Sequence, residues 1–247
     1  NYFFRMSKYG ERLRQHIEAN EDFLRPSMRR NEILGFLDKG LQDLCISRPK
    51  TRLSWGIELP FDTDYVTYVW FDALTNYVSA MGYGDGTDTF DTWWPSAHHL
   101  IGKDILTTHS VYWTTMLMAL GIPLPQTITA HGWWLSDERK MGKSSGNAIS
   151  PLQMKEVYGP DVMRYVLLRE MVIGLDATFS EETIVRRNNC DLSNGLGNLA
   201  RRAAGLISKY FDGNVPDPGA STPAEEEIAA AAKDVAARIP GLVADLK

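Results

Sequence analysis

Apolar and polar positions alternate in two different rhythms along the chain. Up to about residue 150, short runs of apolar and β-branched residues alternate with stretches whose apolar residues recur at helical spacing. The runs at 44–47, 66–70, 98–101 and 127–130 predict strands. Strands separated by helices predict an α/β fold with a doubly wound parallel sheet of the Rossmann type.

The stretches between these runs predict helices and loops. Residues 1–27 predict one helix that Pro26 ends, and residues 72–80 and 105–120 predict two more. Residues 82–91 are rich in Gly, Asp and Thr and predict a loop. Ligands of doubly wound folds lie at the carboxyl ends of the strands, so we expect the chemistry in the turns that follow them.

The rhythm becomes purely helical after about residue 180. Residues 181–211 predict a continuous helix, and residues 212–223, which contain three prolines, predict a linker. Residues 224–247 predict an alanine-rich helix that is interrupted at Pro240. The end of the chain therefore predicts part of an α-helical bundle.

The composition is that of an ordinary globular protein, with 44% apolar and 23% charged residues among 247. No apolar run predicts a membrane span, and the first residues lack the order of a signal peptide. Because the chain begins with Asn1 rather than Met, we expect it to be part of a longer protein or to lack its first residues. Two cysteines without a Cys-x-x-Cys pair predict free thiols, a cytoplasmic location and no metal site in this stretch.

Charge is distributed unevenly along the chain, although the net charge is −5. Residues 139–209 carry 11 Lys and Arg against 7 Asp and Glu, whereas the rest of the chain is acidic. A locally basic stretch can bind a phosphate backbone, and it can equally be a solvated helix face. Charge alone leaves both interpretations open.

Two lysines three residues apart, Lys140 and Lys143, lie in a string of glycines and serines. Such a loop can donate hydrogen bonds to phosphate oxygens and stabilise charge that develops in a transition state. By itself, a string of this kind is usually a surface loop.

A second candidate site follows the predicted strand at 98–101. Gly102 lets the backbone approach a ligand, and Asp104 can accept hydrogen bonds from a ribose. Asp104 could instead cap the following helix. The two interpretations are compatible, because a capping residue can also face a ligand.

A third candidate site is an aromatic block in which Trp70, Ala73 and Tyr77 recur at helical spacing. These side chains could share one face and form the wall of a pocket. A stripe of aromatic residues in the core has the same spacing, so the spacing alone does not decide between the two.

The order of these motifs resembles that of a known family. The lysine loop resembles the lysine-methionine-serine-lysine-serine signature of class I aminoacyl-tRNA synthetases, and it follows His131 and Gly132 at the family's distance. The aromatic block continues as Ala73-Leu74, where the isoleucine and valine enzymes tend to have Ser-Gly. Over residues 1–210 the chain thus resembles the methionyl-tRNA synthetases. Gly142 departs from the signature, which usually has serine there, and it adds backbone freedom.

The resemblance implies roles for individual residues. It implies Lys140 and Lys143 as the catalytic residues that act on the phosphates of ATP. The residues that it implies for ATP binding are Gly102, Asp104, His131, Gly132, Trp134, Lys140, Lys143 and Ser144. The residues that it implies for methionine binding are Trp70, Ala73, Tyr77, Ile105 and His109. An aromatic slot suits a flexible thioether, whose sulfur packs well against rings and is a weak hydrogen-bond acceptor.

Residues 188–202 resemble the first helix of the family's anticodon-binding bundle. Asn198 and Arg202, at i and i+4, match the positions that read anticodon bases. Amide and guanidinium groups can read splayed bases by hydrogen bonding and stacking. A polar helix surface without this function has the same composition.

The resemblance also implies the organisation of the chain. Residues 1–27 would be the tail of the connective insertion, and residues 28–150 the second half of the Rossmann-like catalytic domain. Residues 151–185 would contact the tRNA stem, and residues 186–247 would be part of the helical anticodon-binding domain. The implied function is that of a methionine–tRNA ligase, which activates L-methionine with ATP and Mg²⁺ to methionyl-adenylate and transfers it to tRNA(Met).

Parts of the family's site do not occur in this sequence. The family's His-x-Gly-His signature is absent, and zinc belongs to the family's insertion rather than to this stretch. We therefore expect the segment alone to lack the N-terminal half of the ATP site and to catalyse activation poorly. Two alternatives stay open: another class I synthetase, and a non-catalytic tRNA-binding paralogue or fragment.

Overall fold

The computed structural model describes residues 1–136, 139–142 and 146–245. The chain forms two compact units, Asn1–Gly132 and Trp133–Lys247. The strands of the first unit are β1 (Phe3–Phe4), β2 (Leu24–Arg25), β3 (Leu44–Cys45), β4 (Ser47–Pro49), β5 (Glu58–Leu59), β6 (Asp62–Thr67), β7 (His98–Gly102) and β8 (Thr127–His131). Its α-helices are α1 (Gly10–Ala19), α2 (Ser27–Leu37), α3 (Val69–Ala73), α4 (Asn76–Ser79), α5 (Thr89–Trp93) and α6 (Thr114–Leu120).

A parallel sheet in the order β2-β8-β7 forms the centre of the first unit. Helices α1 and α2 pack on it through Leu13, Ile17 and Ile33, each no more than 1% exposed, against Leu24 and Ile128 of the strands. The predicted α/β fold with a parallel sheet is therefore confirmed. Helix α6, in the connection between β7 and β8, ends at Leu120, and Gly121 caps it with a positive φ of 71°, the left-handed conformation that commonly ends a helix.

The prediction of a single helix over residues 1–27 is wrong. Helix α1 ends at Ala19, and Leu24–Arg25 form β2, which pairs in parallel with β8. A strand of two residues is too short to show an apolar periodicity. Its position is fixed instead by pairing with the neighbouring strand. Pro26 does not end a helix either, since α2 begins at the next residue.

The strand predicted at 66–70 is only partly correct. Strand β6 ends at Thr67 and belongs to a separate antiparallel sheet in the order β4-β6-β5. The chain turns into α3 at Val69, so Trp70 is helical. Apolar β-branched and aromatic residues suit both a buried strand and a buried helical face, and here the side chain of Leu74, one turn further, anchors the helix in the core. The loop predicted at 82–91 likewise gives way to α5 at Thr89.

The second unit contains a small sheet and a series of helices. Its strands are β9 (Trp134–Ser136), β10 (Arg139–Lys140) and β11 (Ala177–Thr178). They lie in the order β10-β9-β11, with β10 antiparallel and β11 parallel to β9. Its α-helices are α7 (Pro151–Tyr158), α8 (Pro160–Glu170), α9 (Glu181–Arg187), α10 (Asn198–Phe211) and α11 (Pro223–Ala244).

The helical end of the chain is confirmed with one correction. Helices α9 and α10 are joined by a π-helical segment, Asn188–Gly197, so the predicted helix over 181–211 is continuous. The interruption predicted at Pro240 is wrong, because α11 runs to Ala244. Proline removes a single backbone hydrogen bond near the end of a 22-residue helix, and the helix continues past it. Within the described ranges, no helix is long and apolar enough to cross a membrane.

Candidate active site

The carboxyl ends of β7 and β8 bring two predicted ATP-binding residues side by side. Gly102 is the register partner of His131, and both are the last residues of their strands. His131 directs Nδ1 to the carbonyl oxygen of Gly132 at 2.6 Å, which fixes the ring at this edge. Both residues thus lie at the carboxyl edge of the sheet, where we expect the chemistry.

Asp104 lies close to Gly102 at the same edge. A Cβ atom added to Gly102 would lie 2.6 Å from Oδ1 of Asp104, closer than any normal contact. Asp104 lies within a short 3-10 turn, Lys103–Ile105, whose N-cap position is Gly102. Asp104 is the second residue of this turn. Its exposed carboxylate is accessible to a ligand.

Tyr77 and His109 meet at the start of α4. The phenol oxygen of Tyr77 lies 2.8 Å from Nε2 of His109, and Nδ1 of the same ring lies 2.9 Å from the carbonyl oxygen of Ile105. Burial lowers the pKa of His109 below its ordinary value, which favours the neutral ring. Because a carbonyl only accepts, Nδ1 carries the hydrogen, and the Tyr77 hydroxyl donates to Nε2.

This arrangement has a consequence for a bound thioether. Both polar hydrogens of the Tyr77–His109 pair point to partners within the protein. A sulfur atom that accepts one of them must replace a bond that exists without ligand. His109 lies in a π-helical segment, Thr108–Trp113, a conformation that is frequent at functional sites.

The side chains of Trp70, Ala73 and Tyr77 lie at the margin of the core rather than inside it. Leu74 and Val78, each one position later, are the buried residues, at 2% and 5% exposure. Trp70 and Tyr77 are half-buried at the margin of that cluster, and Ala73 is exposed. The alternative of a purely core stripe therefore does not describe this face, which remains accessible to a ligand.

His99, a buried histidine that no sequence motif indicated, packs its ring against that of Tyr77. The ring centroid of His99 lies 4.4 Å from that of Tyr77, and Nε2 of His99 accepts a hydrogen bond of 3.1 Å from the indole nitrogen of Trp113. Burial, together with the nearby His109, lowers the pKa of His99 to about 4. Alternation along β7, which places His99 and Ile101 on one buried face, is the signal that could have revealed it.

In the second unit, Lys140 is the last residue of β10. Its ammonium lies 4.5 Å from the centre of the Trp133 ring, a cation–π distance. Trp134 packs its ring edge-on against Phe179 in an apolar cluster, so the ring faces the core of this unit. Lys143 and Ser144, both predicted to bind phosphate, lie outside the described residues.

Asn198 and Arg202 lie on one face of α10, as predicted, because the helix includes both. Arg202 is exposed and Asn198 is half-buried. Asn198 also lines an open polar cavity of about 310 Å³. The other lining residues are Ser193, Asn194, Gly197 and Arg201. Asn194 and Arg201 each lie one helical turn from Asn198.

Among the residues that the structure describes, no group of three or more His, Cys, Asp or Glu side chains is placed to hold a metal ion. Mg²⁺ is usually bound by substrate phosphates and water, with one or two carboxylates at most.

Comparison with known proteins places these features in a family. A family model described as class I tRNA synthetases (M) matches residues 1–204. The chain is 46% identical over 248 residues to a methionine–tRNA ligase of Clostridium tetani, covering 100% of this chain and 38% of that protein. It is 49% identical over 220 residues to the Thermotoga maritima enzyme, covering 89% and 35% respectively.

A solved structure matches the whole chain. The methionyl-tRNA synthetase of Mycobacterium tuberculosis bound by methionyl-adenylate superposes with a TM-score of 0.87 at 44% identity. The match covers 100% of this chain and 48% of that one, so the chain spans between a third and a half of the length of these relatives. On this sequence and structural similarity, the chain belongs to the methionyl-tRNA synthetases of class I.

Proposed function

We propose that the protein is a methionine–tRNA ligase, which activates L-methionine with ATP and transfers it to tRNA(Met). The observation that carries this proposal is the match of the whole chain, at 44% identity, to a relative whose structure holds methionyl-adenylate. The hydrogen-bonded Tyr77–His109 pair supports it, because it borders an aromatic surface suited to a thioether. Two free cysteines, Cys45 and Cys190, are in keeping with action in the cytoplasm.

In the proposed reaction, the carboxylate of methionine attacks the α-phosphorus of ATP. A bond forms between a carboxylate oxygen of methionine and the α-phosphorus, which gives methionyl-adenylate. The bond between the α-phosphorus and the oxygen that bridges to the β-phosphate breaks, and pyrophosphate leaves. A carboxylate is already a nucleophile, so no residue has to remove a proton. The protein contributes positioning and charge stabilisation, which is what phosphoryl chemistry chiefly requires of an enzyme.

The carboxyl edge of the parallel sheet holds the nucleoside in this proposal. Gly102 and Asp104 contact the ribose, and His131, Gly132 and the backbone of Trp134 border the adenine. Asp104 suits the role because a carboxylate accepts hydrogen bonds from both ribose hydroxyls. Lys140, Lys143 and Ser144 act on the phosphates, and Mg²⁺ would supply further positive charge there.

Methionine lies against Trp70, Ala73, Tyr77, Ile105 and His109 in this proposal. Ala73 leaves space beside two larger rings, and the exposed position of its side chain makes that space accessible. Polar contacts to sulfur help to reject leucine and isoleucine, which an apolar slot separates poorly by itself.

The tRNA contacts are proposed for the helical end of the chain. Asn198 and Arg202 read anticodon bases, and residues 151–185 contact the stem. Residues 28–150 serve as the second half of the catalytic domain, residues 186–247 as part of the anticodon-binding domain, and residues 1–27 as the tail of a connective insertion. Any zinc belongs to that insertion.

Amino-acid-dependent exchange of pyrophosphate into ATP tests the proposal, with the protein expressed from its complete coding sequence. We expect exchange with methionine, and exchange at least about a hundredfold slower with leucine, isoleucine, valine or cysteine. Faster exchange with another amino acid would assign the protein to a different class I synthetase. Binding of tRNA without exchange for any amino acid would assign it to a non-catalytic tRNA-binding protein.

A further inference from the structure

The side-chain amide of Asn147 bridges two backbone groups on either side of Met141. Its Oδ1 accepts a hydrogen bond of 3.0 Å from the backbone nitrogen of Gly142. Its Nδ2 donates one of 3.3 Å to the carbonyl oxygen of Lys140. One side chain thus supplies an acceptor and a donor to the end of β10 and the residues just after it.

These two groups face away from the neighbouring strand. Lys140 pairs with Leu135, and the backbone nitrogen of Met141 donates to the carbonyl oxygen of Trp134 at 3.1 Å. Because backbone groups alternate along a strand, those of Lys140 and Gly142 lie on the opposite edge from β9. Strand β10 is the outer strand in the order β10-β9-β11, so this edge has no neighbouring strand among the described residues.

A primary amide has the hydrogen-bonding groups of one peptide unit, an acceptor and a donor side by side. Asn147 therefore supplies the outer edge of β10 with the acceptor and the donor that one residue of a neighbouring strand would supply. Met141 is fixed on the other edge, through its bond to Trp134 and its packing against the apolar cluster of Phe179. The backbone from Lys140 to Gly142 is held from both sides.

Gly142 makes this support necessary. Without a Cβ atom it restricts its own backbone angles less than the serine usual at this position of the signature, so the conformation at Gly142 is weakly determined locally. The bond from its N–H to Asn147 restores a constraint that its own side chain cannot supply.

We propose that Asn147 is a positioning residue for Lys140: it fixes the backbone that presents the Lys140 ammonium to the phosphates of ATP. This inference rests on the proposed function, because it assigns Lys140 to the activation step. Catalytic groups gain most from being held in place before the reaction, and a misplacement of about 1 Å can cost about a hundredfold in rate.

Two substitutions test it, Asn147→Ala and Asn147→Asp, with Asn214→Ala in the exposed linker as the matched control. We expect Asn147→Ala to lower kcat of methionine-dependent pyrophosphate exchange by about 10- to 100-fold, with KM for methionine changed less than about twofold. Asn147→Asp keeps the shape and the acceptor but loses the donor, and it should lose as much. Full kcat in either variant would overturn the proposal, and so would a rise in KM for methionine as large as the fall in kcat.

A second measurement does not depend on activity. Amide hydrogen exchange followed by NMR should show Gly142 protected in the unsubstituted protein, and about tenfold less protected in Asn147→Ala, with no change in Asn214→Ala. Equal exchange of Gly142 in all three proteins would show that Asn147 does not hold this backbone. If methionine-dependent exchange of pyrophosphate is absent altogether, the proposed function fails, and the Gly142 result still decides whether the amide holds this backbone.

Discussion

The hydroxyl of Tyr77 donates to Nε2 of His109 at 2.8 Å, which joins the short helix α4 to the π-helical segment that follows β7. The carbonyl of Ile105 occupies the other ring nitrogen at 2.9 Å. The imidazole is thereby held in one orientation and one tautomer before any ligand binds. A pocket preorganised in this way spends less binding energy on ordering its own side chains.

Substitution of Tyr77 by Phe removes the donor and leaves Nε2 of His109 without its partner. The loss of one buried hydrogen bond is worth about 1 kcal/mol, so we expect KM for methionine to rise by about five- to tenfold, with a smaller change in kcat. Pyrophosphate exchange at varied methionine concentration measures both. Tyr83→Phe, at an exposed tyrosine, is the control and should leave both constants unchanged. An unchanged KM in Tyr77→Phe would argue against methionine at this pair.

His99 makes the stability of the first unit depend on pH. Its folded pKa of about 4 lies below the ordinary 6.5, so between these values the unfolded chain binds a proton that the folded chain does not. The contribution of His99 to the free energy of unfolding is fully present above pH 6.5 and is lost as the pH falls towards 4. From this group we expect the free energy of unfolding to drop by about 2 kcal/mol between pH 7.5 and pH 5.

Urea denaturation at the two pH values measures the effect of His99. The variant His99→Gln keeps an acceptor for the Trp113 indole and cannot titrate, so its stability should fall less with acid than that of the unsubstituted protein. His16, whose pKa is also lowered by burial, contributes to the slope in both proteins and cancels in the comparison. The difference between the two slopes includes the coupling of His99 to the nearby His109. Equal slopes in the two proteins would contradict the assignment to His99.

The parallel strands could be predicted from sequence where they were long enough to show a pattern. Strands β7 and β8 are five residues each and lie where the apolar runs predicted them. Strand β2 has two residues, and its pairing with β8 depends on a contact between positions about a hundred residues apart. Local patterns carry no information on such pairing, which is why β2 was missed.

Some residues of the candidate site could likewise be predicted from the sequence, and others could not. Motif residues such as Tyr77 and His109 were found because their spacing matches a family, and the structure then brings the two together. His99 packs against the ring of Tyr77, and Asn147 bridges backbone groups of Lys140 and Gly142. No motif spacing reveals such contacts. Residues that support a site are found from the structure, because any buried His or surface Asn looks alike in sequence.

Substitution of Gly102 by Ala tests the ribose site. The new Cβ atom would lie 2.6 Å from Oδ1 of Asp104, so the carboxylate has to move. We expect KM for ATP to rise by about tenfold, the cost of one hydrogen bond to a charged group, with KM for methionine unchanged. Gly35→Ala in helix α2, where an added Cβ atom meets nothing within 4 Å, is the matched control. Equal KM values for ATP in the two variants would remove Asp104 from the proposed ATP site.

Substitution of Asn198 or Arg202 by Ala should separate the two half-reactions. We expect aminoacylation of tRNA(Met) to lose at least about tenfold in kcat/KM, because base contacts are each worth about 1–3 kcal/mol, while pyrophosphate exchange stays unchanged. Arg238→Ala on helix α11, which removes an exposed ion pair with Asp234, controls for the loss of surface charge. If Arg238→Ala reduces aminoacylation equally, the effect is electrostatic and does not identify a reading surface.

Substitution of Lys140 or Lys143 by Ala tests the phosphate loop. A contact made mainly in the transition state lowers kcat and leaves substrate binding nearly intact, so we expect kcat of exchange to fall by at least about a hundredfold in each variant, with KM for methionine within about twofold. Lys155→Ala, at an exposed lysine of α7, is the matched control.

Combining Lys140→Ala with Asn147→Ala tests whether the two residues act as one unit. If Asn147 works by holding Lys140, its loss has little left to affect once the lysine side chain is gone. We then expect the double variant to have nearly the kcat of Lys140→Ala alone, well above the value for independent effects. Multiplicative losses would show instead that Asn147 acts on activation by a route that does not pass through Lys140.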